Sequence, residues 1–543
     1  MYSESSYKIE IGMTKPWKFQ KRDYITNTTL PHLFETQVLL YPRSTAVVFK
    51  GKRLTYNELN IKANQLARYL VTLGVGLEKT VIVSLDRSYE VYIALMAVQK
   101  AGGVYVPIEP LNPESRLKFL VEDCKPIVIL TQSTMKNKFK NCKQEVFCLD
   151  TDWSKIEDKN EQNLNVDIGE DNLSDLIYTS GSTGLPKGVQ STHKNRINAL
   201  NAWKEIYKLT HEDILFQTTS LGFDVFTADY TRSLCLGATM VPSEENFTMT
   251  QNASIDRMYE LLIEEKVTFA EFNVTTIRKL FSFVKANNKP LDFLRIIVVG
   301  ADAWYLTEDK ELCEYCHDKT KVINSYGMTE EAVDSTYFDR SMLKNPNDPI
   351  LNNKSLIGIP FPNTKIYLLN DKLQSVKEGE IGTMYFGGPN TARGYLNRLE
   401  LTQQRFIKNP FVKNNNEKIY NSGDLARVIE DGVLEFLGRV DFQVEINSKR
   451  VEVNEVEAAI HEHPLVREVL VSGLKNTSKD TVLVAYISCH KNKKIDTGEL
   501  RSFLTEKLPS YMIPTIIKVL DTFPLNANGK VDRKMLPIPD EIV

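Results

Sequence analysis

The run Tyr178-Thr179-Ser180-Gly181-Ser182-Thr183-Gly184-Leu185-Pro186-Lys187-Gly188 restricts this chain more than any other stretch. It follows the strand-like Leu176-Ile177 and gathers hydroxyls, glycines and a lysine into one short loop. Glycine lets successive backbone N–H groups turn toward one point, because no Cβ stands in the way. Converging amides make an anion nest, hydroxyls add donors, and Lys187 supplies a mobile point charge. That combination suits the grip on a polyphosphate. A flexible Ser/Gly surface loop needs neither Pro186 at its exit nor Lys187 directly after it. The order also differs from a Walker loop, which runs GxxxxGK[ST] into a helix.

The rest of the chain sets the frame for that loop. Its 543 residues suggest about three to four domain-sized units, and 42% hydrophobic with 25% charged residues is ordinary for a globular protein. A net charge of −3 leaves no electrostatic footprint for nucleic acid or an anionic membrane. The N-terminus lacks a charged-then-apolar leader, and no apolar run reaches the roughly 18 residues of a spanning helix. A cytoplasmic, monomeric protein is expected. Seven cysteines in so long a chain do not make a disulfide framework. Cys313-Glu314-Tyr315-Cys316-His317 fits a haem-attachment string, but there is no secretory leader and no second CxxC, so it reads as coincidence. His461-Glu462-His463 precedes Pro464 at a helix end, and residues two apart do not share a helix face, so no metal site is read there.

Residues 1–29 read as a polar lead-in. From 30 to 437, β-branched runs such as Thr80–Leu85 and Leu294–Gly300 alternate with helical patterns, which argues an α/β domain of sheets flanked by helices. Ser154 to Asn172 reads as a surface connection, as does the Asn-rich loop around Lys413 to Lys418. Past residues 438–441, helix-start signals at Asn454/Glu457 and Asp496/Glu499 flank the strand-like Thr481–Ile487. Residues 442–543 are thus a smaller α+β domain.

Ten segments, in order from 54 to 533, resemble the core motifs of amino-acid adenylation domains of nonribosomal peptide synthetases, in the adenylate-forming superfamily. They are Leu54–Leu59, Lys100–Pro107, the loop above, Phe223-Asp224, Asn324–Glu330, Gly379-Glu380 with Ala392–Leu396, Tyr420–Leu425, Gly438–Val444, Leu508–Pro514 and Asn528–Arg533. The resemblance implies a large N-terminal domain with a small β-barrel-like part, a mobile C-terminal lid and a hinge at Asp441. It implies that ATP and Mg²⁺ activate an amino acid as its adenylate, with pyrophosphate released, before transfer to the phosphopantetheine thiol of a peptidyl carrier protein. No Gly-Gly-x-Ser carrier motif occurs, so the carrier is expected in trans or on a longer native chain.

Joining a carboxylate to a triphosphate needs charge neutralisation and in-line positioning rather than a nucleophilic side chain. By resemblance, Thr179, Ser180, Gly181, Ser182, Thr183, Gly184 and Lys187 hold the pyrophosphate end. Gly300, Ala301, Asn324, Tyr326 and Gly327 line the nucleotide, with Tyr326 stacked on adenine. Thr329 reaches the α-phosphate, Glu330 holds Mg²⁺, and Asp424 takes the ribose hydroxyls with Arg439 nearby. Lys530, presented after the Asn528-Gly529 turn, inserts between carboxylate and phosphate. Asp224, costly to bury unpaired among apolar neighbours, receives the α-ammonium.

By alignment with the family the resemblance implies a pocket of Asp224, Val225, Ala228, Glu271, Ile297, Val299, Ser325, Val333 and Asp334, with Lys530, a set similar to the family's ornithine pockets, with lysine close behind. Glu271 and Asp334 would end an aliphatic tube in carboxylates, as the methylene chain and ammonium of ornithine or lysine require. Ala228 and Val299 narrow it and favour ornithine. An acyl- or aryl-acid coenzyme A ligase is the alternative, which Asp224 argues against, and a non-catalytic nucleotide-binding module is a second. Met328 stands where the family usually has Pro, Phe226 where a small residue is common, and Asn447-Ser448 where it has Arg-Gly beside the pantetheine path.

Overall fold

A computed structural model describes residues 16–24, 27–181, 184–247, 253–412, 417–429, 431–441, 443–446, 449–476, 480–490, 493–524 and 535–542. The loop residues Ser182 and Thr183, the Asn447-Ser448 pair and the whole turn carrying Lys530 lie outside them.

Two sheets with helices on their faces form the large N-terminal part. The first is seven-stranded and runs, in spatial order, Gly394–Tyr395, Lys187–Thr192, Leu173–Thr179, Val104–Pro107, Thr80–Val83, Val128–Thr131 and Glu145–Cys148. Its inner strands pair in parallel. Such strands are covered on both faces and read as continuous apolar runs. The second sheet has a parallel centre, Thr239–Pro242, Ile214–Gln217, Phe269–Asn273, Ile296–Gly300 and Lys321–Tyr326. Thr336–Asp339 and Ser355–Pro360 continue it antiparallel into Leu434–Arg439, Lys418–Val428, Gly382–Gly387 and Lys365–Leu369. This antiparallel stretch occupies the place expected for a barrel-like part, and its described ladder extends the second sheet.

The main core lies where helices Tyr56–Thr72, Glu90–Lys100, His193–Tyr207 and Asp224–Leu234 pack together between the sheets. Tyr56–Thr72 opens with a capping box, in which Thr55 accepts from Glu58 N–H and Glu58 accepts from Thr55 N–H. The supposed surface connection before the phosphate loop is tied down. Asn64 Nδ2 donates to Glu161 O, and Gln65 Nε2 to Glu157 O, from that same helix.

The smaller C-terminal part holds a hairpin, Val444–Ile446 with Lys449–Val451, and helix Val453–His461. A sheet of Val466–Lys475, Thr481–Cys489 and Ile516–Val519 follows, with helix Thr497–Thr505. Asp496 caps that last helix by accepting from Gly498 and Glu499 N–H, as its sequence signal implies. The other signal is displaced. The first helix begins at Val453, its cap position is Glu452 without a side-chain bond, and Glu457 instead accepts from Val471 N–H.

Candidate functional site

Strand Leu173–Thr179 delivers the phosphate loop, and Lys187 opens the return strand directly opposite Thr179. A Cβ on Gly181 would stand 1.8 Å from the Leu185 carbonyl, so the turn admits only glycine there. Lys187 is 3% exposed, with Nζ 3.3 Å from Glu330 Oε1 and 4.8 Å above the Tyr395 ring. Tyr395 OH donates to the same Glu330 oxygen at 2.7 Å. Burial draws the Lys187 pKa down to about 8, with Arg450 adding to the effect. Burial alone would raise Glu330, but Arg450 and then Lys187 hold it well below the usual carboxylate range.

The C-terminal part reaches into this cluster. Arg450 Nη1 donates to Glu330 at 3.1 Å. Ser180 Oγ donates to Arg450 O at 2.8 Å and accepts from Glu452 N–H at 3.2 Å. Gly181 N–H donates to Glu455 Oε2 at 3.1 Å, and Arg116 holds the other Glu455 oxygen at 2.5 Å. A carboxylate thus occupies an amide of the loop that the sequence assigns to phosphate. Arg450, Glu455, Arg116 and Tyr395 are absent from the sequence-based list because their roles depend on how two distant parts of the chain meet.

Beside the loop lies a cavity of about 700 Å³ lined by both parts of the molecule. Thr179, Ser180, Gly300, Ala301, Asn324, Tyr326, Gly327, Thr329, Asp424 and Arg439, all assigned to the nucleotide or its chemistry by resemblance, line it together. Gly181, Gly184, Lys187 and Glu330 stand outside its lining. Tyr326 OH donates to Asp424 Oδ2 at 2.5 Å, and Arg439 Nη1 to Asp424 Oδ1 at 2.5 Å. Arg439 also binds Asp441 through Nε at 2.7 Å, and Arg405 reaches Asp441 at 3.4 Å. Arg439 therefore links the expected ribose carboxylate to the expected hinge.

The cavity continues toward the amino-acid pocket. Asp224 opens helix Asp224–Leu234, and its Oδ2 accepts from Thr329 Oγ1 at 2.6 Å. Burial pushes its pKa up. Val225, Glu271, Ser325, Val333 and Asp334 line the same space. Val333 has φ +85° and follows Ala332 at +56°, a left-handed pair that a β-branched residue avoids without tertiary compensation. The reversal brings the Val333 carbonyl onto Gly327, where a Cβ would stand only 1.8 Å away. It also aims Asp334 inward, where Trp203 Nε1 donates to Oδ2 at 2.8 Å and Ser325 Oγ donates to Oδ1.

Two expected pocket residues face elsewhere. Ile297 and Val299 belong to a hydrophobic cluster with Ala270, Phe272, Ile277 and Leu280, beneath helix Val274–Asn287. The sheet register pairs Glu271 with Val298 and Asn273 with Gly300. Side chains on a strand alternate, so Val298 and the Gly300 position share the Glu271 face while Ile297 and Val299 point away. Gly300, expected only at the nucleotide, lines the cavity, and a Cβ there would meet Ser325 O at 3.1 Å. Val299 consequently does not narrow the pocket, and the size argument for ornithine over lysine loses that support. Ala228 is fully buried with Val298 in the main core and stands behind the cavity wall rather than on it.

The floor carries charges that were not foreseen. Arg232, fully buried, forms a close ion pair with Glu271 Oε2 and stands 3.8 Å from Asp229. Its guanidinium lies 4.6 Å over the Trp203 ring. Desolvation raises Glu271 to about 7 despite Arg232, and it likewise raises Asp229 and Asp334. The available sequence signal was an Asp and an Arg three apart in a helix that is otherwise buried all round.

Cys313 and Cys316 sit half-buried at the end of helix Leu306–Cys313, where Cys316 Sγ donates to Leu312 O at 3.4 Å. Among the described residues, no group of three or more His, Cys, Asp or Glu side chains could hold a metal, and no helix is long and apolar enough to cross a membrane.

Comparison with known proteins follows the same outline. The family description "AMP-binding enzyme" matches residues 34–396, and "AMP-binding enzyme C-terminal domain" matches 455–530. Tyrocidine synthase 3 of Brevibacillus parabrevis is 37% identical over 521 residues, covering 96% of this chain and 8% of that protein. Bacitracin synthase 2 of Bacillus licheniformis is 36% identical over 528 residues, covering 95% of this chain and 19% of that protein. The chain therefore spans only a small part of the length of these relatives. Among solved structures, an artificially fused adenylation–PCP di-domain NRPS from Klebsiella oxytoca, NpsA-ThdA, shares the fold. Its TM-score is 0.79 at 21% identity, covering 91% of this chain and 94% of that one.

Proposed function

We propose that the chain, which belongs to the AMP-binding enzymes, is an adenylation domain of the nonribosomal peptide synthetase type and that its amino acid is a basic one, ornithine or lysine. The observation that carries this reading is the polarity of the cavity. Asp224, which suits an α-ammonium, lines it together with Glu271 and Asp334. A buried carboxylate is costly unless a cation meets it. Arg232 answers only part of the charge on that floor, so a second ammonium fits. In the first half-reaction the amino-acid carboxylate bonds to the α-phosphate of ATP and the bond to pyrophosphate breaks, giving the aminoacyl adenylate and free pyrophosphate.

Mg²⁺ fits the site as a companion of the triphosphate. Glu330 is a fully buried carboxylate beside Lys187 and the phosphate loop. One carboxylate plus phosphate oxygens is the donor set this hard cation prefers. The bound ion would neutralise phosphate charge, while Lys187 and the loop amides position the pyrophosphate end.

The second half-reaction, transfer to a carrier thiol, suits the arrangement in which the C-terminal part now lies. Val444, Glu445, Lys449 and Arg450 line the cavity, and Glu455 fills a loop amide. Triphosphate and Glu455 compete for that amide, so pyrophosphate departure favours this closure. For adenylate formation, rotation about Asp441 would bring the C-terminal part into a second position that serves Lys530's proposed role.

ATP–pyrophosphate exchange with a panel of amino acids tests the reading. Exchange with ornithine or lysine is expected. Exchange confined to neutral amino acids removes the basic substrate, and exchange only with fatty or aryl acids favours the coenzyme A ligase alternative.

A further inference from the structure

We propose that Asp229 and Arg232, which stand behind the cavity wall, are positioning residues that hold Glu271 ready for a distal ammonium, and that this ammonium binds by displacing a proton from the buried carboxyl cluster to solvent. The inference rests on the basic-substrate reading above. Its geometry is a layered floor. Glu271 and Asp334 line the cavity, whereas Asp229 and Arg232 do not. Arg232 is fully buried, stacks on Trp203 and binds the Oε2 side of Glu271, which fixes that carboxylate against the wall. Asp229 Oδ1 accepts no hydrogen bond and lies 3.8 Å from Arg232.

Three buried carboxyl groups therefore lie around one guanidinium, two of them on the cavity wall. The other groups facing them are Asp224, which also lines the cavity, Arg87 and the neutral Tyr92 toward Asp229, and the neutral Tyr207 against Asp334. An excess of buried negative charge is relieved by protonation until a cation arrives. Desolvation already lifts Glu271 to about 7. A bound ammonium favours the ionised form, so one O–H bond breaks, the proton leaves to water, and the carboxylate keeps the electron pair. No atoms are exchanged with the substrate.

Linkage then fixes the sign. Below the cluster's titration, binding an ammonium must expel a proton, and the KM for ornithine worsens by up to about tenfold per pH unit. Above it, the dependence levels off. Norvaline, with a neutral side chain, expels no proton from the cluster.

The test is the ratio of KM for ornithine to KM for norvaline in exchange, across pH 5.5–8.5, which cancels effects on ATP and on the α-ammonium. The ratio is expected to fall as pH rises and to flatten above about 7. Asp229→Asn should move that fall to lower pH, Arg232→Met to higher pH, and Arg232→Lys should restore most of the parent profile. If Arg232→Met does not fold, Asp229→Asn and Arg232→Lys carry the comparison. A flat ratio in the parent enzyme with ornithine accepted overturns this inference alone. So does an Arg232→Met protein that raises both KM values equally at every pH, as a purely structural residue would. An enzyme that activates no cationic amino acid overturns the substrate reading and this inference with it.

Discussion

The phosphate site and the amino-acid floor are both buried charge clusters, yet their partners come from different places. Glu271, Asp334, Asp229 and Arg232 all belong to the N-terminal part, and so does Trp203, which braces them. Glu330 and Gly181 are answered by Arg450 and Glu455 from the C-terminal part. A pair closed within one domain stays closed while the other domain moves. A pair formed across two domains exists in one arrangement and is broken in another. On the proposed reading the floor is a fixed receptor that defines a side chain, whereas the phosphate loop trades protein partners for phosphates on every turnover. Hinge motions of this kind complete a catalytic constellation and then release it.

The largest expected effect tests the moving side of that contrast. Lys530→Ala should lower the exchange rate by about a hundred- to a thousand-fold, the roughly 2.7–4 kcal/mol typical of one preorganised transition-state donor. The loss should fall on kcat more than on KM, because the lysine acts on charge that peaks in the transition state. Thioester formation from a supplied aminoacyl adenylate should be far less affected. Near-normal exchange by this variant would remove the lysine from the chemistry.

On the fixed side, Glu271→Gln keeps shape and removes charge. Truncating one partner of a buried charge pair costs about 2–5 kcal/mol, much of it from the group left unpaired. We expect the low end, near a thirtyfold rise in KM for ornithine, because Asp334 retains part of the charge. The double change with Asp334→Asn should be more severe, and norvaline should be spared in both. Unchanged discrimination between ornithine and norvaline in the double variant would refute the basic pocket.

The comparison also explains what could be read from the chain. The phosphate loop stood out by its glycines, hydroxyls and lysine, and Asp224 by its apolar neighbours, whereas Glu271, Asp334 and Asp424 were placed only through the resemblance of the ordered motifs. Ile297 and Val299 were assigned one position away from the residues that share Glu271's face, and the reason is physical. Ile296–Gly300 is a parallel strand covered on both sides, so every residue is apolar and no alternation marks its inner face. A slip of one residue inverts all its side chains, and only the pairing with Phe269–Asn273 settles the matter. Arg232 and Asp229 were missed for a related reason, since their helix is buried all round and has no polar face to contradict. Arg450 and Glu455 were illegible because cross-domain contacts leave no local pattern.

A smaller effect is expected at the ribose site. Asp424→Ala removes the acceptor of Tyr326 and Arg439. A hydrogen bond involving a charged group is worth about 1.5–3 kcal/mol, so KM for ATP should rise by about tenfold or somewhat more. Because ribose contacts persist from ground state to transition state, kcat should change less. An unaltered KM for ATP would take Asp424 out of the nucleotide site.

The smallest effect should appear where the two regions are joined. Asp441 accepts from Arg439 at 2.7 Å and stands 3.4 Å from Arg405, so it ties the hinge to the strand that carries Asp424. Its side chain is 31% exposed, and ion pairs in such wet positions contribute at most about 1 kcal/mol. Asp441→Ala should therefore shift the balance between the two lid positions by no more than about fivefold. On the proposed reading, in which the Asp441 pair forms with this closure, the shift should disfavour the arrangement in which Arg450 and Glu455 cover the phosphate loop. Exchange should hold or rise slightly while transfer to a carrier thiol falls, so the ratio of the two rates is the quantity to measure. High salt should mimic the substitution in the parent enzyme and do little to the variant, since screening weakens a partly exposed pair. A parallel fall in both half-reactions, with salt equally effective on variant and parent, would show that Asp441 supports the fold rather than the choice between lid positions.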